Sequence, residues 1–361
     1  MKFNSTVWLV FALCCAVLSN GCGKKGDQAG APKEPKISGS PSDPPVSLVP
    51  KWQAGQRYVM RMESAQTMEM PDFAAGRGAQ ADGKTATVEN NFAQEYSFSV
   101  TNAPDGNQGL EMEILAIELQ AGRGNQMINY DSRNTVAREG GPFADAFDQV
   151  VGGKLWCLVS PENKVLKVEG VDELFARAEA PPPADAQPAG RRAANRGAAT
   201  GVLRGMYNEE VIKQMIEFSS GMPKTLRIGE SWTINREMPQ PVVGTLLLSV
   251  TNTFRGWQEH DGKKCARVEF AGTISTKEGD AGDGGAGMAS VTIHDGVIKG
   301  HYWYSPDILI PVETSIEQNY TVNASGAGNA GGRNAGNVSF TAPTKQNVSM
   351  RLLEVKSATA P

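Results

Sequence analysis

The sequence predicts a mainly β protein, its antiparallel sheets forming two related, half-barrel-like lobes with a few short helices. Three observations carry that expectation. Apolar and polar residues alternate with period two in segment after segment, as in Tyr96-Ser97-Phe98-Ser99-Val100, Met112-Glu113-Ile114 and Val268-Glu269-Phe270, which is the signature of half-buried strands. Asp105-Gly106, Asp261-Gly262 and Asp295-Gly296 each separate apolar runs, where a hairpin needs residues that accept positive φ. Similar words also recur in the same order in both halves of the chain, as an internal repeat demands.

The N-terminus reads as an address. A single Lys2 precedes the apolar run Val7 to Leu18, and Ser19-Asn20-Gly21-Cys22 follows. The run is shorter than the ~20 residues a membrane-spanning helix needs. Residues 1–21 are therefore expected to be a bacterial lipoprotein signal peptide, with Cys22 lipidated after cleavage and carrying several acyl chains, palmitate among them. Leu18 sits one place further from the cysteine than a lipobox usually has it, and Asn20 is not a small residue. Gly23 after the cysteine favours the outer membrane, with the body facing the periplasm. Residues 22–50, rich in Pro, Gly and Ser, read as a flexible tether.

The body divides by pattern into an N-terminal lobe over 51–200 and a C-terminal lobe over 201–358. Low-complexity inserts at 74–86, 179–201, 277–289 and 324–337 are too small and polar to form core and read as loops. Hairpins are expected over Lys154 to Val168 and over Val291 to Tyr304, each carrying a Trp. Short helices are expected over Phe143 to Val151, Val171 to Ala178 and Asn208 to Ser219. In the third, Asn208 can cap, Glu209 and Glu210 suit the first turn, and Gly221 and Pro223 stop it. The repeat sets Ala54-Gly55-Gln56-Arg57-Tyr58 beside Ile228-Gly229-Glu230-Ser231-Trp232, and Ser99-Val100-Thr101-Asn102 beside Ser249-Val250-Thr251-Asn252.

Composition excludes several functions. The net charge of −4 and the 20% of charged residues argue against a polybasic nucleic-acid binder, and Arg191, Arg192, Arg196 and Arg204 lack the interleaved aromatics of one. With three histidines and no Cys/His cluster, no metal site is expected, and Asp280 and Asp283 alone do not make a tight calcium site. Gly282–Gly287 and Gly326–Gly331 match a dinucleotide fingerprint only formally, because β-like sequence rather than a helix follows each. No cofactor is expected. His260 and His294 precede Asp-Gly pairs and read as exposed turn residues. No nucleophile and base motif is present, so the chain is not expected to be an enzyme.

After removal of the leader and lipidation of Cys22, Cys157 and Cys265 remain. They read either as two separate buried thiols or as a disulfide permitted by the compartment. His301 and Trp303 share one face of a strand, with Tyr302 and Tyr304 on the other. One of these faces lies on the core. His301, Trp303 and Trp156 are the candidate ligand-face residues.

Taken together, the lipobox, Trp52 with Ala54-Gly55, Tyr130-Asp131-Ser132, Val165 to Gly170 before a helix, and Met222-Pro223 leading to Ile228-Gly229-Glu230-Ser231-Trp232 resemble an uncharacterised family of bacterial secreted lipoproteins, a domain of unknown function. The likeness covers most of residues 51–322. It implies a β-rich envelope protein and supplies no catalytic residues. At fold level the alternation is also similar to half-barrel lipoprotein carriers that hold acyl chains in a curved sheet.

The function expected is non-catalytic: a membrane-anchored envelope lipoprotein binding a lipid, another apolar ligand or an envelope protein partner. Leu246-Leu247-Leu248 and Ile308-Leu309-Ile310, apolar on both faces, motivate the ligand. The alternative is a structural or assembly lipoprotein that scaffolds another envelope component. An envelope hydrolase ranks third.

Overall fold

Alternation of burial runs the length of the first strand. Tyr58, Met60, Met62, Ser64, Gln66, Met68 and Met70 are all buried, while the residues between them are half-buried or exposed. One face of such a strand must lie on a core. The structure, a computed structural model, describes residues 36–71, 85–123, 126–134, 142–179, 203–217, 221–240, 243–280, 290–327 and 337–357.

Twelve strands form one antiparallel sheet. They are β1 (Gln56–Pro71), β2 (Thr85–Asn102), β3 (Gln108–Arg123), β4 (Gln126–Asp131), β5 (Lys154–Val159), β6 (Val165–Glu169), β7 (Ser231–Gln240), β8 (Gly244–His260), β9 (Lys263–Thr276), β10 (Ser290–Ser305), β11 (Ile310–Ala327) and β12 (Asn337–Ser357). The order across the sheet is β6-β5-β3-β2-β1-β12-β11-β10-β9-β8-β7. β3 forks: its first half pairs with β5 and its second half with β4. Both halves of the chain thus share one open sheet, joined where β1 lies beside β12.

Three helices occupy the places the sequence predicts: α1 (Pro142–Val150), α2 (Val171–Glu179) and α3 (Glu209–Ile216). Asn208 caps α3 by accepting the Val211 N–H at 2.9 Å, which satisfies one of the donors a helix start leaves open.

The inner face carries two apolar clusters. One joins β1, β2, β3 and β5 to the helices through residues such as Tyr96, Met112, Phe147, Phe175 and Ile212. The other draws on β7 to β12 and includes Met68, Met70 and Val88 from β1 and β2, with no helical residue among the described ones. Strands so far apart in the sheet order can share a core without a helical lid only if the sheet curls over itself. Glu217, just after α3, marks how far the curl goes. Its carboxylate accepts the Val165 N–H of the edge strand β6 at 2.7 Å. Its carbonyl accepts Arg236 Nη2 of the opposite edge, β7, at 2.7 Å. The sheet stays open, and α3 sits at the seam.

Residues 36–50 fall inside the stretch read as tether, yet they cross the body as a strap. Ser38 and Trp257 exchange backbone hydrogen bonds at 2.7 and 2.9 Å, and Val46 and Leu226 do so at 2.8 Å each. Asn163 donates to the Pro50 carbonyl at 2.9 Å, and Leu48 is buried in the second cluster. Prolines remove donors but leave an extended chain whose remaining N–H and C=O groups can pair.

Two further expectations change. Asp295-Gly296 is not a hairpin tip, and Val291 to Tyr304 is not a hairpin. Asp295 has φ 51° inside the single strand β10, at a register break between His294 and Val297. Positive φ serves a bulge as well as a turn. The two halves share one local geometry, but it is offset from the recurring words. Gly55 (φ 79°) donates to the Val100 carbonyl at 2.8 Å, and Gly229 (φ 90°) donates to that of Phe254 at 2.7 Å. Arg57 pairs with Ser99, and Ser231 pairs with Thr253. The structural counterpart of Ser99-Val100 is therefore Thr253-Phe254, not Ser249-Val250.

Candidate functional site

Between the two apolar clusters the inner face turns polar. Gln66 on β1 stands directly opposite Asn90 on β2 and Gln346 on β12, and Gln346 stands opposite Gln318 on β11. Residues so paired share a face with neighbouring Cβ atoms, so four uncharged amides form a ladder across four adjacent strands. All four are at most 2% exposed.

A directional chain runs through them. Asn90 Nδ2 donates to Gln66 Oε1 at 3.2 Å, and Gln66 Nε2 donates to the Tyr320 hydroxyl at 2.9 Å. That hydroxyl donates to Gln346 Oε1 at 3.2 Å, and Gln346 Nε2 donates to Ser64 Oγ at 3.1 Å. Capacity is left over. Asn90 Oδ1, Gln94 Nε2 and both amide atoms of Gln318 are buried without a hydrogen-bond partner, and leaving such a group unmade costs about 1–3 kcal/mol. Methionines border the ladder, with Met68 in the next row on one side and Met62 and Met350 beyond Ser64 on the other. Every buried inner-face position of these four strands among the described residues is uncharged. The site offers neutral donors and acceptors framed by adaptable apolar side chains.

The sequence-predicted residues lie elsewhere. Tyr302 and Tyr304 take the core face, so His301 and Trp303 lie half-buried on the outer face of β10. Trp303 is locked in place: it stacks on His260 at 4.1 Å, meets the edge of His301 at 4.4 Å, and donates Nε1 to Gln258 Oε1 at 3.0 Å. His260 is consequently no exposed turn residue; its side chain is 16% exposed and Nε2 lies 3.4 Å from Glu313. His301 lines a shallow outer groove of about 550 Å³ whose charges are largely matched, Arg255 with Glu269 and Lys299 with Glu317, each at 2.7 Å. Trp156 lies half-buried on β5, six strands from β10 counting across the sheet and farther still from β9, and joins neither groove nor ladder.

Cys157 on β5 and Cys265 on β9 are separate, buried free thiols, which corrects the bridged alternative. Burial pushes the Cys157 thiol up to about 12, with Glu209 adding to the effect, and burial raises Cys265 as well. Among the described residues, His260, Asp261 and Glu313 could gather around a cation. Arg351 already occupies that position, 2.6 Å from Asp261 and 3.5 Å from Glu313. Cys22, Arg191, Arg192, Arg196 and Asp283 lie outside the described residues.

Residues quoted for the family resemblance prove to be packing devices. Trp52 packs on Tyr58 and Phe98 at 5.3 and 5.2 Å, Tyr130 donates to Asp148 at 2.8 Å, and Ser132 Oγ accepts the Ile117 N–H at 2.9 Å. The ladder was missed by motif reasoning, yet it left a signal. Ser64, Gln66, Asn90, Gln318 and Gln346 all stand in the apolar phase of their strands, two residues from Met, Val, Phe or Ile.

Fold and site together define a mainly β protein built on one open, curled antiparallel sheet with an uncharged polar band inside. The family of unknown function DUF6263 matches residues 105–305, more than half of the chain, and the chain belongs to that family. No curated protein matches it. Among solved structures, one of lipid–protein interactions in lipovitellin is 9% identical at a TM-score of 0.40, over 86% of this chain and 26% of that one. The chain thus spans about a quarter of lipovitellin's length. A protein from Bacteroides fragilis with a YmcC-like fold is 10% identical at a TM-score of 0.23, over 86% of this chain and 100% of that one. A DUF1329 family protein from Desulfovibrio piger is 10% identical at 0.13, over 81% and 85%. Likeness at this level carries no functional argument.

Proposed function

We propose that the protein is a non-catalytic envelope lipoprotein, anchored through Cys22 in the outer membrane, whose curled sheet binds an apolar ligand on its inner face. The observation that carries this reading is the inner face itself. It is apolar and rich in methionine over most of its area, with Met60, Met62, Met68, Met70 and Met112 buried there, and methionine surfaces adapt to varied apolar guests. Nothing in the amide ladder can act as nucleophile or general base, so the site suits holding rather than converting. Lipid extraction and native mass spectrometry of the protein purified from cells test the reading, with co-purifying lipid expected. A consistently lipid-free protein would defeat it. For the anchor, labelled palmitate should enter the wild type and be lost in Cys22→Ser.

A further inference from the structure

We propose that the amide ladder is the polar end of the ligand site and selects an acyl chain bearing an uncharged ester or amide, against free carboxylates and phosphates. This rests on the apolar-ligand reading and specifies what that reading leaves open.

The argument begins with what remains unpaired. Gln318 is 1% exposed and neither its Oε1 nor its Nε2 has a partner. Its neighbours in the row do not help: Gln346 is engaged with Tyr320 and Ser64, and Ile298 on β10, opposite Gln318, has nothing to offer. Gln94 Nε2 adds a free donor and Asn90 Oδ1 a free acceptor at the other end of the band. Buried polar groups are almost always satisfied, so these atoms need a guest that both donates and accepts, or one acceptor and one donor close together. The carbonyl and hydroxyl of a glyceride or the C=O and N–H of an amide meet that demand.

Charge decides between guests. A carboxylate or phosphate taken into this band meets only neutral amides and hydroxyls, with no Lys, Arg or His among the buried inner-face residues of β1, β2, β11 and β12. Burying an unpaired ion is strongly unfavourable. A neutral ester or amide faces no such penalty. The flanking methionines can shift rotamers to admit its chain.

The test is calorimetric titration of the full-length protein, stripped of endogenous lipid, with monolaurin and with laurate at pH 8, both below their aggregation thresholds. The chain length is the same and only the head differs. Monolaurin is expected to bind at least tenfold more tightly. Gln318→Met, which keeps the length and removes the amide, should weaken monolaurin about tenfold, leave laurate unchanged, and keep or raise Tm because position 318 no longer buries an unpaired amide. Gln94→Met should act in the same direction. Equal affinities for the two probes, or a Gln318→Met protein that keeps its preference, would overturn the selectivity and leave apolar binding standing. The wild-type comparison decides this even if a variant fails to fold. If neither probe binds, the apolar-ligand reading fails and the selectivity with it.

Discussion

Removing the Glu217 carboxylate should loosen the seam of the curled sheet by a predictable amount. The carboxylate accepts the backbone N–H of Val165, a largely buried residue, at 2.7 Å. Hydrogen bonds to charged groups contribute about 1.5–3 kcal/mol. The ion pair with Lys164 is 3.4 Å long and Lys164 is more than half exposed, so it adds close to nothing. The Glu217 carbonyl, which holds Arg236, survives any side-chain change. Glu217→Ala should therefore destabilise by about 2 kcal/mol, and Glu217→Gln, which keeps an acceptor but loses its charge, by about half of that. With an m-value of roughly 3 kcal/mol/M in urea, the alanine variant's midpoint should fall by about 0.7 M. Hydrogen exchange supplies the local readout, since the Val165 amide should exchange faster in the alanine variant than in wild type. A midpoint change below about 0.2 M with unchanged Val165 exchange would refute the bridging role.

Asn208→Ala should lower stability by about 1 kcal/mol, read as a lower Tm, because the Val211 N–H loses its cap. Gly256→Ala should free the strap from β8: φ is +132° there and an added Cβ would lie 2.6 Å from the Ser38 carbonyl. Limited proteolysis near residues 36–40 should accelerate relative to wild type. Arg133 and then Arg61 hold the Glu95 carboxyl below its ordinary value. Its stabilisation is thus present above about pH 4 and disappears as pH falls through the lowered folded value. Acid melts of Glu95→Gln should show a shallower loss of stability below about pH 4 than wild type. Thiol titration should find Cys157 and Cys265 slow to react in the native protein and both reactive after unfolding.

Much of the fold was legible because its signals are local. Alternation marked Tyr96 to Val100 and Val268 to Phe270, and Asn208 with Gly221 and Pro223 bounded a helix without knowledge of its neighbours. Where two structures share one local signal, the sequence was ambiguous. Asp-Gly with positive φ makes the turn at Asp261 and the bulge at Asp295 alike. The strap looked like spacer because proline content masks pairing that only Trp257 and Leu226, far along the chain, make visible. His260 became half-buried through Trp303, a partner brought alongside by the neighbouring strands. The ladder was hidden for a different reason. Each amide residue alone reads as a solvated one, and only the register of β2, β1, β12 and β11 puts Asn90 and three glutamines in one row.

The pairing of β1 with β12 has a consequence for assembly. Gln56 meets Ser357 and Met68 meets Thr344, so the most central seam of the sheet closes between the first strand and the last. Contacts that span nearly the whole polypeptide form late and slowly. Each half can zip its own hairpins as it emerges, but the two cannot be stitched into one body before β12 is available. A chain lacking β12 should lose far more than one strand's worth of order, because β12 alone joins β1 to β11 in the middle of the sheet.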